Sequence, residues 1–266
     1  MALKIIVCAK QVPDTNEIKI DPVTKTLKRE GVPAILNHDD ANALEEALRI
    51  KDKYPDTYIT VITMGPPQAV DMLRQCLAMG ADEGILASDR ALGGSDTWAT
   101  SNALAATVRK VGDYDIIFAG RQAIDGDTAQ VGPQMAEKLG LPQVTYVKQF
   151  ELAEDMQTIT VHRALEDGHE IIRIKTPCVL TAIHQLNTPR LPSMKGIMAA
   201  RKKPVSTYSA ADLGVDPDKE VGLLASPTNV YRSFTPVPRG KGTMLEGESN
   251  EQAEKLLIGL KAKLAI

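Results

Sequence analysis

Aromatic residues are scarce in this chain and long apolar runs are missing. Phe, Tyr and Trp make up 4% of its 266 residues, so a core must be built from Val, Ile, Leu, Ala and Met. The hydrophobic share of 43% is ample for that. No stretch reaches the roughly 18–20 apolar residues of a membrane-spanning helix, which argues against membrane insertion. The opening MALKIIVCAKQ resembles a secretory signal only superficially. Its apolar stretch of about six residues runs straight into Lys10-Gln11 without a small-residue cleavage site, so it reads as a buried first strand. An excess of one charge is also absent. The 31 Lys and Arg nearly balance the 34 Asp and Glu, for a net charge of −3, which leaves no electrostatic footprint for nucleic acid.

Cysteine is rare: Cys8, Cys76 and Cys178 lie far apart in apolar surroundings, with no Cys-x-x-Cys. That spacing supports neither zinc nor an iron–sulfur cluster. The expectation is buried free thiols in a reducing cytosol, hence a cytoplasmic protein without a metal site. Neither a Walker A loop nor GxGxxG occurs, and no nucleophile–base constellation appears. His38, His162, His169 and His184 are dispersed; His162 and His169 fall in strand patterns and read as surface or structural residues. No catalytic residue is assigned. Chemistry is then left to a cofactor that the protein positions.

What is present is regular alternation. Lys4–Ala9 is a short apolar run of the kind covered on both faces. A helix is expected over Asp39–Tyr54 with Asp39 or Asp40 as cap, then a strand over Tyr58–Met64. Gly65-Pro66-Pro67 opens a helix that Gly80 ends. Gly84–Ala87, a helix from Ser95 to Val111 capped by Ser95 or Asp96, and Tyr114–Ala119 continue the pattern. This is α/β order with a parallel sheet. Gln143–Phe150, Thr158–Arg163, Glu170–Lys175 and Cys178–Ile183 then follow without helices, as an antiparallel extension. Beyond Gln185 periodicity is lost, and prolines recur at Asn187–Gly196 and Pro227–Pro238. A nucleotide-binding domain over residues 1–185 and an arm over 186–266, lying across a partner, are therefore expected. Glu251–Leu264 reads as a closing amphipathic helix with Ala253, Leu256, Leu257 and Leu260 on one stripe.

The strongest local feature is Gly120-Arg-Gln-Ala-Ile-Asp-Gly-Asp-Thr-Ala-Gln-Val-Gly-Pro133. It follows a strand and opens a helix, and Asp127 and Gln130 have capping-box spacing. Free N–H groups at such a helix start favour phosphate, and Thr128 adds a hydroxyl donor. Gly120 and Gly126 allow close backbone approach, and Pro133 is expected to bend or restart the helix. An ordinary capped helix accounts equally well for the local spacing. Ala9–Gln11, Met64–Pro67 and Asn37–Asp40 should meet this loop at one sheet edge. Asn37 carries the donor and acceptor that suit an adenine edge, or it is simply a turn residue.

With Val7-Cys-Ala-Lys-Gln-Val-Pro13, Asn37 with Glu45-Glu46-Ala47, the Gly120–Pro133 segment and Asn187–Lys203, the chain resembles the beta subunit of electron-transfer flavoproteins over nearly its whole length. That resemblance implies a Rossmann-like fold related to adenine-nucleotide hydrolases and an alpha subunit carrying its own FAD. It also implies a nucleotide pocket at Ala9, Asn37, Asp39, Asp40, Met64, Gly65, Gly120, Arg121, Gln122, Ala123, Ile124, Asp127, Thr128, Ala129, Gln130 and Val131. Where simple members often have Pro and an aromatic after the Asn, this chain has His38-Asp39. Thr63–Pro67, Asp89–Gly94, Asp96-Thr97 with Ala99-Thr100-Ser101, and Ser226–Pro236 resemble the electron-bifurcating subgroup.

For that subgroup the implied beta cofactor is FAD, reduced by NADH and passing electrons to ferredoxin or flavodoxin and, through the alpha FAD, to a dehydrogenase of acyl-CoA or lactate type. Leu92, Thr97 and Phe234 are the implied NAD side, with Leu92 standing where an aromatic is common. Met194, within Pro189–Met198, is the implied anchor for the dehydrogenase. Arg201, Lys202 and Lys203 read as a solvated helix end. The alternatives are AMP in place of FAD, with no NADH chemistry, or a universal-stress-type regulator. The latter's usual phosphate loop is missing here.

Overall fold

A computed structural model describes residues 2–14, 33–231, 240 and 242–264. In chain order the first part runs β1 (Lys4–Cys8), β2 (Gln11–Pro13), β3 (Ala34–Leu36), α1 (His38–Lys53), β4 (Tyr58–Met64), α2 (Ala69–Met79) and β5 (Glu83–Ala87). A 3-10 turn (Arg90–Leu92), α3 (Thr97–Val111), β6 (Ile116–Gly120) and α4 (Val131–Leu139) come next. Then follow β7 (Gln143–Leu152), β8 (Thr158–Ala164), β9 (His169–Lys175) and β10 (Cys178–Ala182). The last elements are α5 (Met194–Ala200), β11 (Val205–Tyr208), α6 (Ala210–Leu213), α7 (Gly222–Ala225) and α8 (Ser249–Leu264).

Nine strands form one sheet in the order β11-β5-β4-β1-β6-β10-β7-β8-β9. From β11 to β7 every pairing is parallel; β7–β8 and β8–β9 are antiparallel. The α/β architecture with an antiparallel extension is the one expected, with two differences. The fourth of the supposed antiparallel strands, β10, inserts between β6 and β7 and pairs parallel with both. Its five residues are all buried, so CVLTA is covered on both faces like the core strands. The stretch after Gln185 also supplies β11, which pairs parallel with β5 at the far edge. VSTY is short and polar, as an edge strand can be.

The core lies on both sheet faces. One cluster joins Ile5, Val7, Leu44, Leu48, Leu73, Leu77, Phe118 and Leu180 under α1 and α2. The other joins Ile6, Ile62, Leu104, Val108, Ile117 and Met135 under α3 and α4. Phe118 and Phe150 meet edge to face with ring centres 5.6 Å apart. The three cysteines are buried free thiols, and burial pushes Cys76 and Cys178 up to about 12. Such groups pack as small hydrophobes.

Residues 1–230 form one compact unit and residues 231–266 a second. The first unit thus extends past the boundary expected at residue 185, because β11, α5 and α6 are bonded or packed to its sheet and helices. In the second unit α8 leaves Leu256, Leu257 and Leu260 exposed. Among the described residues no helix is long and apolar enough to cross a membrane.

Candidate nucleotide cradle

β1 leads one way to β4 and β5, whereas β6 and β10 continue the other way. The strand order therefore switches between β1 and β6, whose following helices α1 and α4 pack on opposite faces of the sheet. This is the position at which open α/β sheets take ligands. Ala9, Met64 and Gly65, the start of α1, and Gly120–Gln130 all gather at this edge, as the sequence implied.

Buried groups on α1 hold the loop from behind. Asp40 Oδ2 accepts from the N–H of Lys10 at 2.8 Å, and Oδ1 accepts from the N–H of Gly120 at 2.9 Å. One carboxylate thereby stitches the ends of β1 and β6 together. Burial pushes its pKa up to about 7, although both N–H groups and Asn37 favour the charged form. Asn37 donates to the carbonyl of Gln122 at 2.8 Å and accepts from the N–H of Ile124 at 3.1 Å. It therefore shapes the loop from a fully buried position. The expected caps of α1 are corrected too: the helix starts at His38 with Asn37 as N-cap, and Asp39 and Asp40 lie inside its first turn. Burial raises Asp39, opposed by Arg121, whose Nε lies 3.4 Å from Asp39 Oδ2. Lys10 Nζ reaches Asp125 Oδ1 at 2.6 Å, a tie that the sequence pattern did not reveal because it joins two loops 115 residues apart.

The cradle itself is irregular backbone. Asp127 and Ala129 have φ of 51° and 52°, the left-handed region that non-glycine residues seldom occupy. Asp127 accepts from Gln122 Nε2 at 2.5 Å and so does not take part in the expected capping box. The helix begins later, at Val131, with Gln130 as N-cap and no side-chain cap. Pro133 falls in its first turn, where no helical bond is lost, so the expected bend does not arise. Thr128 and Ile124 are exposed. An uncapped helix start, a positive-φ loop and an exposed hydroxyl together suit a phosphate-bearing ligand. Ile124 offers an apolar surface beside them.

Of the implied NAD residues, Thr97 donates to Gln130 Oε1 at 3.0 Å and so lies beside the cradle. Leu92 does not line a surface: it is buried with Ala87, Ala103, Ala210 and Val221, its aliphatic side chain filling a core layer. Phe234 lies outside the described residues. Met194 opens α5 and is 76% exposed, near Leu191 at 89% and Met198 at 70%. Lys203 is no solvated helix end, because its ammonium donates to the carbonyls of Leu77 and Ala81 that close α2. Glu45 and Glu46 face the Asn187–Lys203 stretch directly. Arg190 clamps Glu45 at 2.8 and 3.0 Å, and Asn187 donates to Glu46 at 2.9 Å. Two separated sequence motifs are thus the two sides of one contact.

A model of the electron transfer flavoprotein domain matches residues 24–213. The chain is 57% identical over 262 residues to the caffeyl-CoA reductase-Etf complex subunit CarD of Acetobacterium woodii, covering 98% of this chain and 99% of that one. It is 55% identical to the electron transfer flavoprotein subunit beta of Thermoanaerobacterium thermosaccharolyticum, over 99% of this chain and all of that one. It is 46% identical to the acryloyl-CoA reductase electron transfer subunit gamma of Anaerotignum propionicum, again over 99% of this chain and all of that one. A mainly parallel sheet with a hairpin extension, the matched family domain and similarity along the full length lead to one assignment: the chain belongs to the electron transfer flavoprotein family, as a beta subunit.

Proposed function

We propose that this subunit holds FAD in the Gly120–Val131 cradle and serves an NADH-oxidising, electron-bifurcating complex. The observation that carries the nucleotide reading is the uncapped start of α4 behind a loop tied from below by Asn37 and Asp40 at the start of α1 and by Lys10 after β1. The first-turn N–H groups and Thr128 would hold the pyrophosphate, and Ile124 would lie against the adenosine portion. Asp40 and Asn37 act at one remove by fixing the loop. When bound, the flavin would supply the redox chemistry, two-electron oxidation of NADH and single-electron transfer toward ferredoxin or flavodoxin and toward the alpha-subunit FAD. The preference for FAD over AMP is supported by the Asp89–Ser101 motifs and by relatives named as subunits of caffeyl-CoA and acryloyl-CoA reductase systems. Among the described residues Thr97 remains the NAD-side candidate.

The partners are then an alpha subunit and a flavin-dependent dehydrogenase. The exposed side chains of Leu191, Met194 and Met198 on and before α5 form the proposed grip for the latter. Beside them a concavity of about 500 Å³ is lined by Ala78, Pro192, Ile197 and Ala200. Methionine adapts to irregular apolar surfaces, which suits an anchor of this kind.

The test is stoichiometry. The heterodimer is purified, denatured and assayed for flavin and AMP. Two FAD and no AMP per heterodimer is expected. One FAD plus one AMP would mean a simple electron carrier with a structural nucleotide.

A further inference from the structure

Residues 89–97 are held by a segment that comes more than a hundred residues later. Asp96 Oδ1 accepts from the N–H of Ala99 at 3.0 Å and so caps α3. Its Oδ2 accepts from the N–H of Thr228 at 2.9 Å. The backbone N–H of Asp96 donates to Ser226 Oγ at 2.9 Å, and Ser226 Oγ donates to the carbonyl of Gly222 at 2.7 Å. The N–H of Gly222 in turn donates to Ser95 Oγ at 2.8 Å. The fit is close. A Cβ on Gly222, whose φ is +80°, would lie 2.3 Å from the carbonyl oxygen of Ala91. A Cβ on Gly94, at φ +75°, would lie 3.0 Å from Leu223. The next residue, Thr97, bonds Gln130, the N-cap of α4. A continuous path thus runs from Thr228 through Asp96 and Thr97 to the cradle.

A carboxylate is the side chain this position requires. It accepts at both oxygens and donates from neither, and here each oxygen faces a backbone N–H. Asparagine would keep one acceptor and turn an NH₂ group toward the other N–H. Burial acts to raise Asp96, yet the N–H groups of Ala99 and Thr228 outweigh it and hold the carboxyl below its ordinary range.

We propose that Asp96 is a positioning residue for the nucleotide: by clasping residues 222–228 while capping α3, it fixes Thr97 against Gln130 and couples the seating of that segment to nucleotide retention. This rests on the nucleotide lying at Gly120–Val131. It gives the Asp96-Thr97 motif a mechanical role beside any contact with NAD.

The test uses the heterodimer, with amide hydrogen exchange and nucleotide release measured on the same preparations. Asp96→Asn is expected to speed exchange at Thr228 and at residues 128–132, and to speed nucleotide release, each about tenfold, the effect of one lost charge-assisted hydrogen bond. Ser226→Ala attacks the same clasp from its other side and is expected to act in the same direction. Thr97→Val cuts the path downstream, so it should speed release and exchange at 128–132 while leaving Thr228 as in the wild type. A residue of merely structural importance would not produce that asymmetry. Faster exchange at Thr228 with release and residues 128–132 unchanged would overturn the coupling. Thr128→Arg separates the two readings. If nucleotide persists at full occupancy in that variant, the cradle is misplaced and the coupling falls with it. If nucleotide is lost there but leaves Asp96→Asn at the wild-type rate, the coupling alone fails.

Discussion

Replacing Gly120 by alanine should damage the cradle from behind without touching a ligand. A Cβ at this position would lie 2.2 Å from Asp40 Oδ1, 2.8 Å from the backbone nitrogen of Asp40 and 2.9 Å from the carbonyl carbon of Asp39. Ordinary contact needs a displacement of about 1 Å, and two of the three obstacles are backbone of the first turn of α1. No rotamer change relieves them. The oxygen that must move is also the one that accepts from the N–H of Gly120. Overpacking of this kind costs about 1–3 kcal/mol, and weakening a hydrogen bond to a charged acceptor costs about 1.5–3 kcal/mol. The sum, roughly 2.5–6 kcal/mol, is a large part of the about 5–15 kcal/mol that keeps a domain folded. Urea unfolding should show a lower midpoint at unchanged slope, together with reduced nucleotide content. Gly126→Ala is the control, because its added Cβ meets nothing within 4 Å; that variant should stay within about 0.5 kcal/mol of the parent. If Gly120→Ala changes stability by less than about 1 kcal/mol and keeps its full nucleotide, Asp40 does not stitch β1 to β6 in the way described.

Because burial raises Asp40 to about 7, the folded chain holds a proton there that the unfolded chain releases near pH 4. Its contribution to stability is then present at low pH and lost as pH rises from about 4 to about 7, by at most ~4 kcal/mol. Asp40→Asn should flatten that part of the profile, and an unfolding midpoint whose pH slope is the same in both proteins would contradict it. Thr128→Arg should crowd the phosphate site and lower beta-site nucleotide, read by absorbance and nucleotide analysis after denaturation. Met194→Asp should weaken electron transfer to the dehydrogenase, seen as a raised apparent KM for that partner at unchanged nucleotide content. Gly196→Ala, whose Cβ would lie 2.1 Å from the carbonyl oxygen of Ala78, should lift α5 from α2 and have the same effect while leaving residue 194 intact; normal coupling would show that the seat of α5 is irrelevant.

Much of the framework was legible because local chemistry decides it. Tyr58–Met64, the end of α2 at Gly80 and the capping of α3 by Ser95 or Asp96 follow from apolar patterning and helix-end chemistry, and the structure has them there, with Asp96 as the cap. The partner of a strand is not written in its own residues, which is why β10 was expected in the antiparallel extension. The signal against that placement was present in CVLTA, apolar except for Thr181 and buried throughout, which contrasts with the partly exposed β8 and the largely exposed β9. At the cradle, spacing alone misled. Asp127 and Gln130 stand three apart, but the left-handed conformations of Asp127 and Ala129 delay the helix to Val131. The roles of Asp96, Lys10 and Lys203 depend on contacts across 115 or more positions in the chain, and no local pattern encodes those.

The insertion of β10 between β6 and β7 bears on the order of events in biosynthesis. Arg121, the first residue of the cradle after β6, donates its N–H to Ala182 at 2.8 Å. A Cβ on Gly132, at the start of α4, would collide with Thr181 at 2.7 Å. Both neighbours belong to a strand made about 50–60 residues after the loop it supports. A ribosome adds roughly 5–20 residues per second, so the loop emerges several seconds before its wall. During that interval β6 presents an open parallel edge, and such long-range pairings are slow to close. Completion of the proposed cradle is therefore a late step, timed by β10 and not by the loop itself.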